Sequence, residues 1–305
     1  MIFIYLFESL RPIQWLKNLT VFAAIVFAGQ FFNLDKIQPA VFTFLIFCAA
    51  SSSMYLINDL ADLEADRTHY FKKKRPLPSR KVTKGAAVLS SLTLIIVSVL
   101  ASLYLSYNLF LVVLAFFVVE ISYTFFLKKI IVLDILAIAS AFMLRLFAGS
   151  FVINTPLSSW LILTTLMLAL FLAVGKRRIE VASQGHTEAV KHRLSLTFYP
   201  TFLLDGYTFM MAVGVIVTYS LFTFNEPEAA KKIAFKFLPS TLSSPKWLMI
   251  TIPFVVYGIF RYLYLIYGKR EGESPEKTLI HDLPLLSTVL LWLTMVFFVV
   301  YILGK

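Results

Sequence analysis

A chain of 305 residues that is 59% hydrophobic, 16% aromatic and only 15% charged, with a mean hydropathy of +0.81, reads as a polytopic membrane protein and excludes a soluble enzyme. Its formal net charge of +11 reports membrane topology and anionic ligands, without calling for nucleic acid. The lone Cys48 lies in an apolar run and excludes an internal disulfide framework.

In chain order, residues 1–18 mix apolar positions with Glu8, Arg11, Gln14 and Lys17, the pattern of an amphipathic interfacial helix. Glu8 and Arg11, with no small-residue cleavage site, make a cleavable signal peptide unexpected. Apolar runs long enough for a bilayer follow at 19–34, 38–57, 85–106, 108–126, 131–153, 159–175, 207–224, 246–267 and 284–303. The expectation is an all-α bundle of about nine transmembrane helices forming a single domain over 1–305, with a possible surface helix in the 225–245 loop. Twenty Lys and Arg residues fall on one side of these spans against six on the other, which predicts a cytoplasmic N-terminus, an outer C-terminus and residence in the cell (inner) membrane. The polar loops 58–84, 127–134, 176–206 and 268–283 then share the cytoplasmic face.

The densest charge lies at 58–80, N-D-L-A-D-L-E-A-D-R-T-H-Y-F-K-K-K-R-P-L-P-S-R. If the helix entering it continues through Asp66, then Asp59, Asp62 and Asp66 stand at i, i+3 and i+7 and share one face, while Glu64 points elsewhere. Clustered carboxylates repel one another and persist where a cation neutralises them. Mg2+ suits the set, because this hard ion is held by one or two carboxylates together with substrate phosphates. The basic run just after would take the remaining phosphate charge, so the stretch reads as a magnesium pyrophosphate site. The competing reading is a solvated loop whose charges only set topology, and it is stronger for the lysines than for the aspartates.

Three further groups stand out. Tyr123, Lys128, Lys129, Asp134 and Arg145 span the second polar motif; Asp134 and Arg145 are ionisable groups within an apolar run and are functional candidates on that ground. Eleven residues separate them, so they share a helix face about 16 Å apart along the axis, and each needs another partner. Snorkelling competes for Lys128 and Lys129, and a structural role for Arg145. Lys176, Arg177, Arg178 and Glu180 follow directly on an apolar span, where they could meet lipid headgroups or a substrate phosphate. Arg261 lies inside a span and implies a buried anion, with Pro275, Glu276 and Asp282 beyond it. The four histidines have no metal-ligand spacing, and no Ser or Cys nucleophile has a base near it in sequence.

The N-D-x-x-D-x-x-x-D of 58–66, in a nine-span chain with a second polar motif from Tyr123 to Asp134, resembles the UbiA superfamily of intramembrane prenyltransferases. Within it the chain is most similar to the decaprenyl-phosphate phosphoribosyltransferase branch. The likeness rests on R-P-I-Q-W-L-K-N at 11–18, D-R-T-H and K-K-K-R-P within 66–76, V-L-D at 132–134, V-G-K-R-R-x-E at 174–180, and R-Y with S-P-E and Asp within 261–282. It covers essentially the whole chain. Tyr70 departs from the branch, which usually has Pro there. Ile138 leaves Asp134 alone where prenyl-transferring relatives carry two Asp, which favours the phosphoribosyl branch.

The resemblance implies a helical bundle around a central cavity open to the cytoplasmic side, with Mg2+ as cofactor. It implies phosphoribosyl pyrophosphate as donor, a polyprenyl phosphate in the membrane as acceptor, and a product for cell-wall or lipid-linked glycan synthesis. On that basis Asp59, Asp62 and Asp66, helped by Asn58, would hold the metal and pyrophosphate. Arg67, Lys72, Arg75 and Lys128 would contact pyrophosphate or 5-phosphate, and Tyr123 and Asp134 would serve ribose hydroxyls or the metal. Lys17, Lys176, Arg177 and Arg261 would meet the lipid phosphate or the cavity rim, with Arg145 a further substrate-binding candidate. A homo-oligomer is compatible with the sequence. The rival readings are prenyl transfer from a prenyl diphosphate to an aromatic or other acceptor, and a non-catalytic lipid transporter or scaffold, which gives no reason for three aspartates on one face.

Overall fold

The computed structural model describes residues 2–68, 72–192, 199–225, 246–269 and 274–303; Tyr70 and the surface helix expected before residue 246 fall outside them. Every regular element among these residues is helical. The chain opens with α1 (Ile2–Ser9) and the apolar α2 (Pro12–Phe27), so the single interfacial helix expected over 1–18 is split. The split falls at Arg11, which takes a φ of 56° before Pro12. Proline disfavours a helical residue ahead of it and is itself suited to a first helical turn, so the chain bends at this pair.

The first expected span also moves. α2 is a 3-10 helix over Pro12–Phe22 and an α-helix over Ala23–Phe27. Together they make an apolar helix shorter than the membrane-length helices that follow. The chain then turns at Gly29, whose φ of 68° suits glycine. Among the described residues eight helices follow that are long and apolar enough to cross a membrane. They are α3 (Leu34–Ala61), α5 (Lys84–Leu105), α6 (Tyr107–Phe125), α7 (Leu133–Ile153), α8, α9 (Thr201–Asn225), α10 (Trp247–Gly268) and α12 (Leu283–Leu303). The short α4 (Leu63–Thr68) and α11 (Pro275–His281) complete the set. α8 begins at Ser159 and continues to His192, so much of the loop expected at 176–206 is helix; no proline interrupts it.

Local chemistry sets several ends. The Thr83 side chain accepts from the Ala86 N–H and starts α5, and Asp282 does the same for α12 through Leu285. Asn154, left-handed, closes α7 with its N–H on the last-turn carbonyls.

The described chain divides into two compact units: Met1–Phe22, Gln38–Asn154 and Gln184–Tyr199 in one, Ala23–Ile37, Thr155–Ser183 and Pro200–Lys305 in the other. In the first, Phe47, Met54, Leu109, Phe116 and Val21 form the core, and α3 is its most buried helix. α7 crosses α2 at Gly149, where an added Cβ would stand 2.0 Å from the Val21 carbonyl oxygen. Only a residue without a side chain permits that approach, the small-residue packing expected between membrane helices. In the second, Phe171, Ile179, Tyr262, Ile266 and Leu285 form the core, and the Trp292 indole donates to Tyr219 beside Thr251.

Candidate active site

The aspartate motif lies where α3 ends. Its helix does not run unbroken through Asp66: Asp62 is a joint between α3 and α4. Hydrogen bonds from the Asp62 N–H to the Asn58 carbonyl (2.9 Å) and from Asp66 to Asp62 (2.8 Å) keep the helical path across it. Asp59 and Asp66 are buried at 3% exposure, and Asn58 and Asp62 are half-buried.

Each carboxylate meets cations from other segments. Asp59 Oδ1 accepts from Arg11 and, at 3.1 Å, from Arg75 Nη1. That same nitrogen donates to Asp66 Oδ2 at 2.9 Å, while Lys72 lies 3.6 Å from Asp66 Oδ1. Lys128, in the turn between α6 and α7, donates to Asp62 Oδ1 at 2.6 Å. Burial first, and then the neighbouring Arg11 guanidinium, push the Arg75 pKa below the ordinary arginine value. Glu64 does turn to the exposed side, and it takes Arg67 with it at 2.9 Å, away from the aspartates.

Whether these residues suit Mg2+ follows from their oxygens. Among the described residues no group of three His, Cys, Asp or Glu side chains is gathered for a metal. The ion pairs of Asp59 and Asp62 all end on Oδ1, leaving Oδ2 of each outside them, whereas both Asp66 oxygens face cations. Two carboxylates with an oxygen to offer fit an ion whose remaining ligands are phosphates and water.

The second motif belongs to the same unit. Asp134, 0% exposed in the first turn of α7, accepts from the Tyr199 hydroxyl at 2.9 Å. That hydroxyl accepts in turn from the Val132 N–H at 2.6 Å. Val132 has a φ of 69°, a strained value for a β-branched residue, so this pair of bonds fixes a stressed turn. Arg145 does have partners other than Asp134. Its Nε donates to Asn18 Oδ1 at 2.7 Å, Nη1 to the Ala141 carbonyl at 2.6 Å and Nη2 to Ser51 at 3.2 Å, with its guanidinium 4.8 Å from the Phe116 ring centre. These bonds tie α2, α3 and α7 together. Lys17 donates to Gln14 at 2.7 Å, and Tyr123 is half-buried on α6.

The second unit carries its own charge pairs. Arg261 meets Asp282 through two parallel bonds of 3.0 and 2.8 Å, so the anion beside this arginine is a carboxylate of the chain. Arg177, fully buried, donates to Glu180 at 2.7 Å, and Lys176 beside it is half-buried. Arg178 and Tyr267 both donate to Asp205 at 2.9 Å, with Tyr267 on a π-helical turn at the end of α10.

Comparison with known proteins places this arrangement. The UbiA prenyltransferase family pattern matches residues 18–283. The chain belongs to the UbiA prenyltransferase family. It is therefore a membrane-embedded transferase of all-α fold. It is 35% identical over 293 residues to the decaprenyl-phosphate phosphoribosyltransferase of Mycolicibacterium smegmatis, covering 94% of this chain and 90% of the relative. It is 33% identical over 300 residues to the protein of the same name in Corynebacterium glutamicum, covering 97% and 86%. In fold it is similar to a UbiA homolog from Archaeoglobus fulgidus bound to GPP and Mg2+, with a TM-score of 0.71 at 19% identity over 97% of this chain and 99% of that one.

In this UbiA-family chain the residues singled out from sequence divide between the two units. Asp59, Asp66, Lys72 and Arg75 come together in one charge cluster and Asp62 pairs with Lys128 in the same unit, while Lys176, Arg177 and Arg261 lie in the other unit. Sequence reasoning did not select Arg11 or Tyr199. Arg11 carries a signal in its placement before Pro12, which marks a bend able to project a side chain backwards. Tyr199 carries none, since nothing in its neighbourhood distinguishes it from other aromatics.

Proposed function

We propose that the protein transfers 5-phosphoribose from phosphoribosyl pyrophosphate to a polyprenyl phosphate, with Mg2+ as cofactor. The observation that carries this reading is the near full-length likeness to two proteins named decaprenyl-phosphate phosphoribosyltransferase. The pairing of the motif's aspartates with Arg11, Lys72, Arg75 and Lys128 among the described residues supports it from the chemical side. The lone Asp134, with Ile138 one turn on, fits a pentosyl donor better than a second diphosphate-binding carboxylate pair would.

Asp59 and Asp62, with Asp66 and Asn58 beside them, would hold the metal. When bound, Mg2+ neutralises charge on the departing pyrophosphate. Lys72, Arg75 and Lys128 would hold the pyrophosphate or 5-phosphate oxygens; Arg67 would join them by leaving Glu64. Asp134, fixed by Tyr199, would orient ribose hydroxyls together with Tyr123. The bond from the anomeric carbon to pyrophosphate breaks, and a lipid phosphate oxygen forms the new bond to that carbon. This nucleophile is already an anion, so no side chain has to remove a proton, and catalysis rests on positioning and electrostatics. Lys17 would meet the lipid phosphate, with Arg145 acting through the packing of its helices. The reading places the cavity mouth, the aspartates and the N-terminus on the cytoplasmic side of the cell membrane, as the basic loops predict.

The test supplies membranes containing the protein with ribose-labelled phosphoribosyl pyrophosphate, a polyprenyl phosphate and Mg2+, with and without chelator. Label passing into the organic phase only with Mg2+ is the expected result. No label from folded protein offered several polyprenyl phosphates would turn the assignment towards prenyl transfer.

A further inference from the structure

The acidic motif is already filled with charge, and by side chains. Arg75 Nη1 stands 3.1 Å from Asp59 Oδ1 and 2.9 Å from Asp66 Oδ2, so one nitrogen occupies the bridging position between two buried carboxylates. Arg11 caps the same Asp59 oxygen from the bend before α2. Its place is built: the preceding Leu10 carbonyl accepts from Ser52 on α3 at 3.0 Å, Trp15 donates to the same Ser52 at 3.0 Å, and the guanidinium lies 5.2 Å from the Tyr55 ring centre. Among the described residues the ion pairs of Asp59 and Asp66 bring in Arg11, Arg75 and Lys72, three cations to two carboxylates, with Asp62 paired to Lys128.

We propose that Arg11 and Arg75 are resident counter-ions of the aspartate site, which make entry of the divalent metal conditional on pyrophosphate. This rests on reading the motif as a metal–pyrophosphate site. A bare divalent cation would add two positive charges to a cluster already positive, beside a guanidinium in the bridging position, and like charges this close repel strongly in a partly buried setting. Pyrophosphate, with roughly three negative charges, reverses the sign. It gives the displaced Arg75 and Lys72 new acceptors, and it frees the Asp66 oxygens for the metal. Arg75 is about one-third exposed, so its head can leave the carboxylates for a phosphate at the mouth. Arg11 is held by its backbone and stays on Asp59, a fixed positive charge that disfavours metal alone. The site then selects the metal–pyrophosphate complex over either part, and Arg11 becomes a positioning residue of the N-terminal segment.

The experiment is equilibrium dialysis of Mn2+ against the detergent-solubilised full chain, with and without inorganic pyrophosphate on both sides of the membrane. Wild type is expected to bind Mn2+ at least tenfold more tightly when pyrophosphate is present. Arg75→Gln and Arg11→Gln are each expected to bind Mn2+ alone about tenfold more tightly than wild type and to lose most of the pyrophosphate enhancement, while Arg75→Lys keeps it. Asp62→Asn should lower Mn2+ binding in every arm. Equal Mn2+ affinity with and without pyrophosphate in wild type, or unchanged metal-only affinity in whichever Gln variant elutes as a folded species, overturns the counter-ion role and leaves the metal site standing. No protein-bound Mn2+ in any arm removes the metal reading itself, and the counter-ion role with it.

Discussion

Replacing Tyr199 by Phe isolates the contribution of one oxygen atom. The ring is fully buried, and its hydroxyl accepts from Val132 at 2.6 Å and donates to Asp134 at 2.9 Å. Phe fills nearly the same volume, so no cavity term enters. The substitution removes the acceptor of the Val132 N–H, at a residue 39% exposed where water can replace it, and takes a donor from a fully buried carboxylate, worth about 1.5–3 kcal/mol. The carboxylate loss dominates, so the expected destabilisation is about 2 kcal/mol, on the order of 3 °C in melting temperature for a chain of this length. Cys48, the single cysteine and buried at 5% exposure, supplies the reporter: a thiol-reactive dye labels it only as the protein unfolds. Turnover should fall further than stability alone requires, because the Asp134 carboxylate loses a fixed orientation. A Tyr199→Phe protein that melts within a degree of the parent and turns over at the parent rate would refute the coupling of this hydroxyl to Asp134.

Three other substitutions have defined outcomes. Gly149→Ala drives a Cβ into the Val21 backbone, and the helices must part by about 1 Å; the expected cost exceeds the usual 1–3 kcal/mol of overpacking, so little folded protein should accumulate, whereas Gly85→Ala meets nothing within 4 Å and should be neutral or slightly stabilising in the same expression and melting assays. Arg145→Leu should lower stability by about 2 kcal/mol by leaving Asn18 Oδ1 with the Ser51 hydroxyl alone and the Ala141 carbonyl without this donor, and Lys should not rescue it because it lacks the planar fork; unchanged melting with a raised KM for the lipid would favour a substrate contact instead. Lys128→Met removes the partner of Asp62 and should cut turnover about 100-fold in the label-transfer assay with modest loss of stability; near-normal turnover would remove Lys128 from the phosphate-binding set.

The sequence made most of the membrane helices legible because runs of twenty apolar residues have few alternatives. What it missed were places where backbone geometry departs from the regular: the 3-10 stretch that lengthens α2, the left-handed Arg11 that splits the first helix, and the joint at Asp62. Periodicity assumes one rise per residue and cannot register such changes. The i and i+7 spacing did mark Asp59 and Asp66, which share Arg75, and it assigned Glu64 to the other face. It could not show that the same group draws in Arg11, 48 residues earlier in the chain, since ion pairs across elements leave no local trace. Arg145 and Arg261 illustrate the converse. An arginine in a span signals a buried partner, but the contacts with Asn18, Ser51 and Asp282 lie far off in the chain and leave no local trace.

The most direct test of the functional account offers both donor classes at once. Membranes containing the protein receive phosphoribosyl pyrophosphate, a prenyl diphosphate, a polyprenyl phosphate and Mg2+, and the extracted lipids are read by mass spectrometry, alongside an Asp62→Asn protein shown to be folded. The account predicts that the polyprenyl phosphate gains the mass of one phosphoribosyl group, that no prenylated acceptor forms, and that Asp62→Asn abolishes the product. A prenylated product without the phosphoribosyl lipid, or full product from Asp62→Asn, would contradict it.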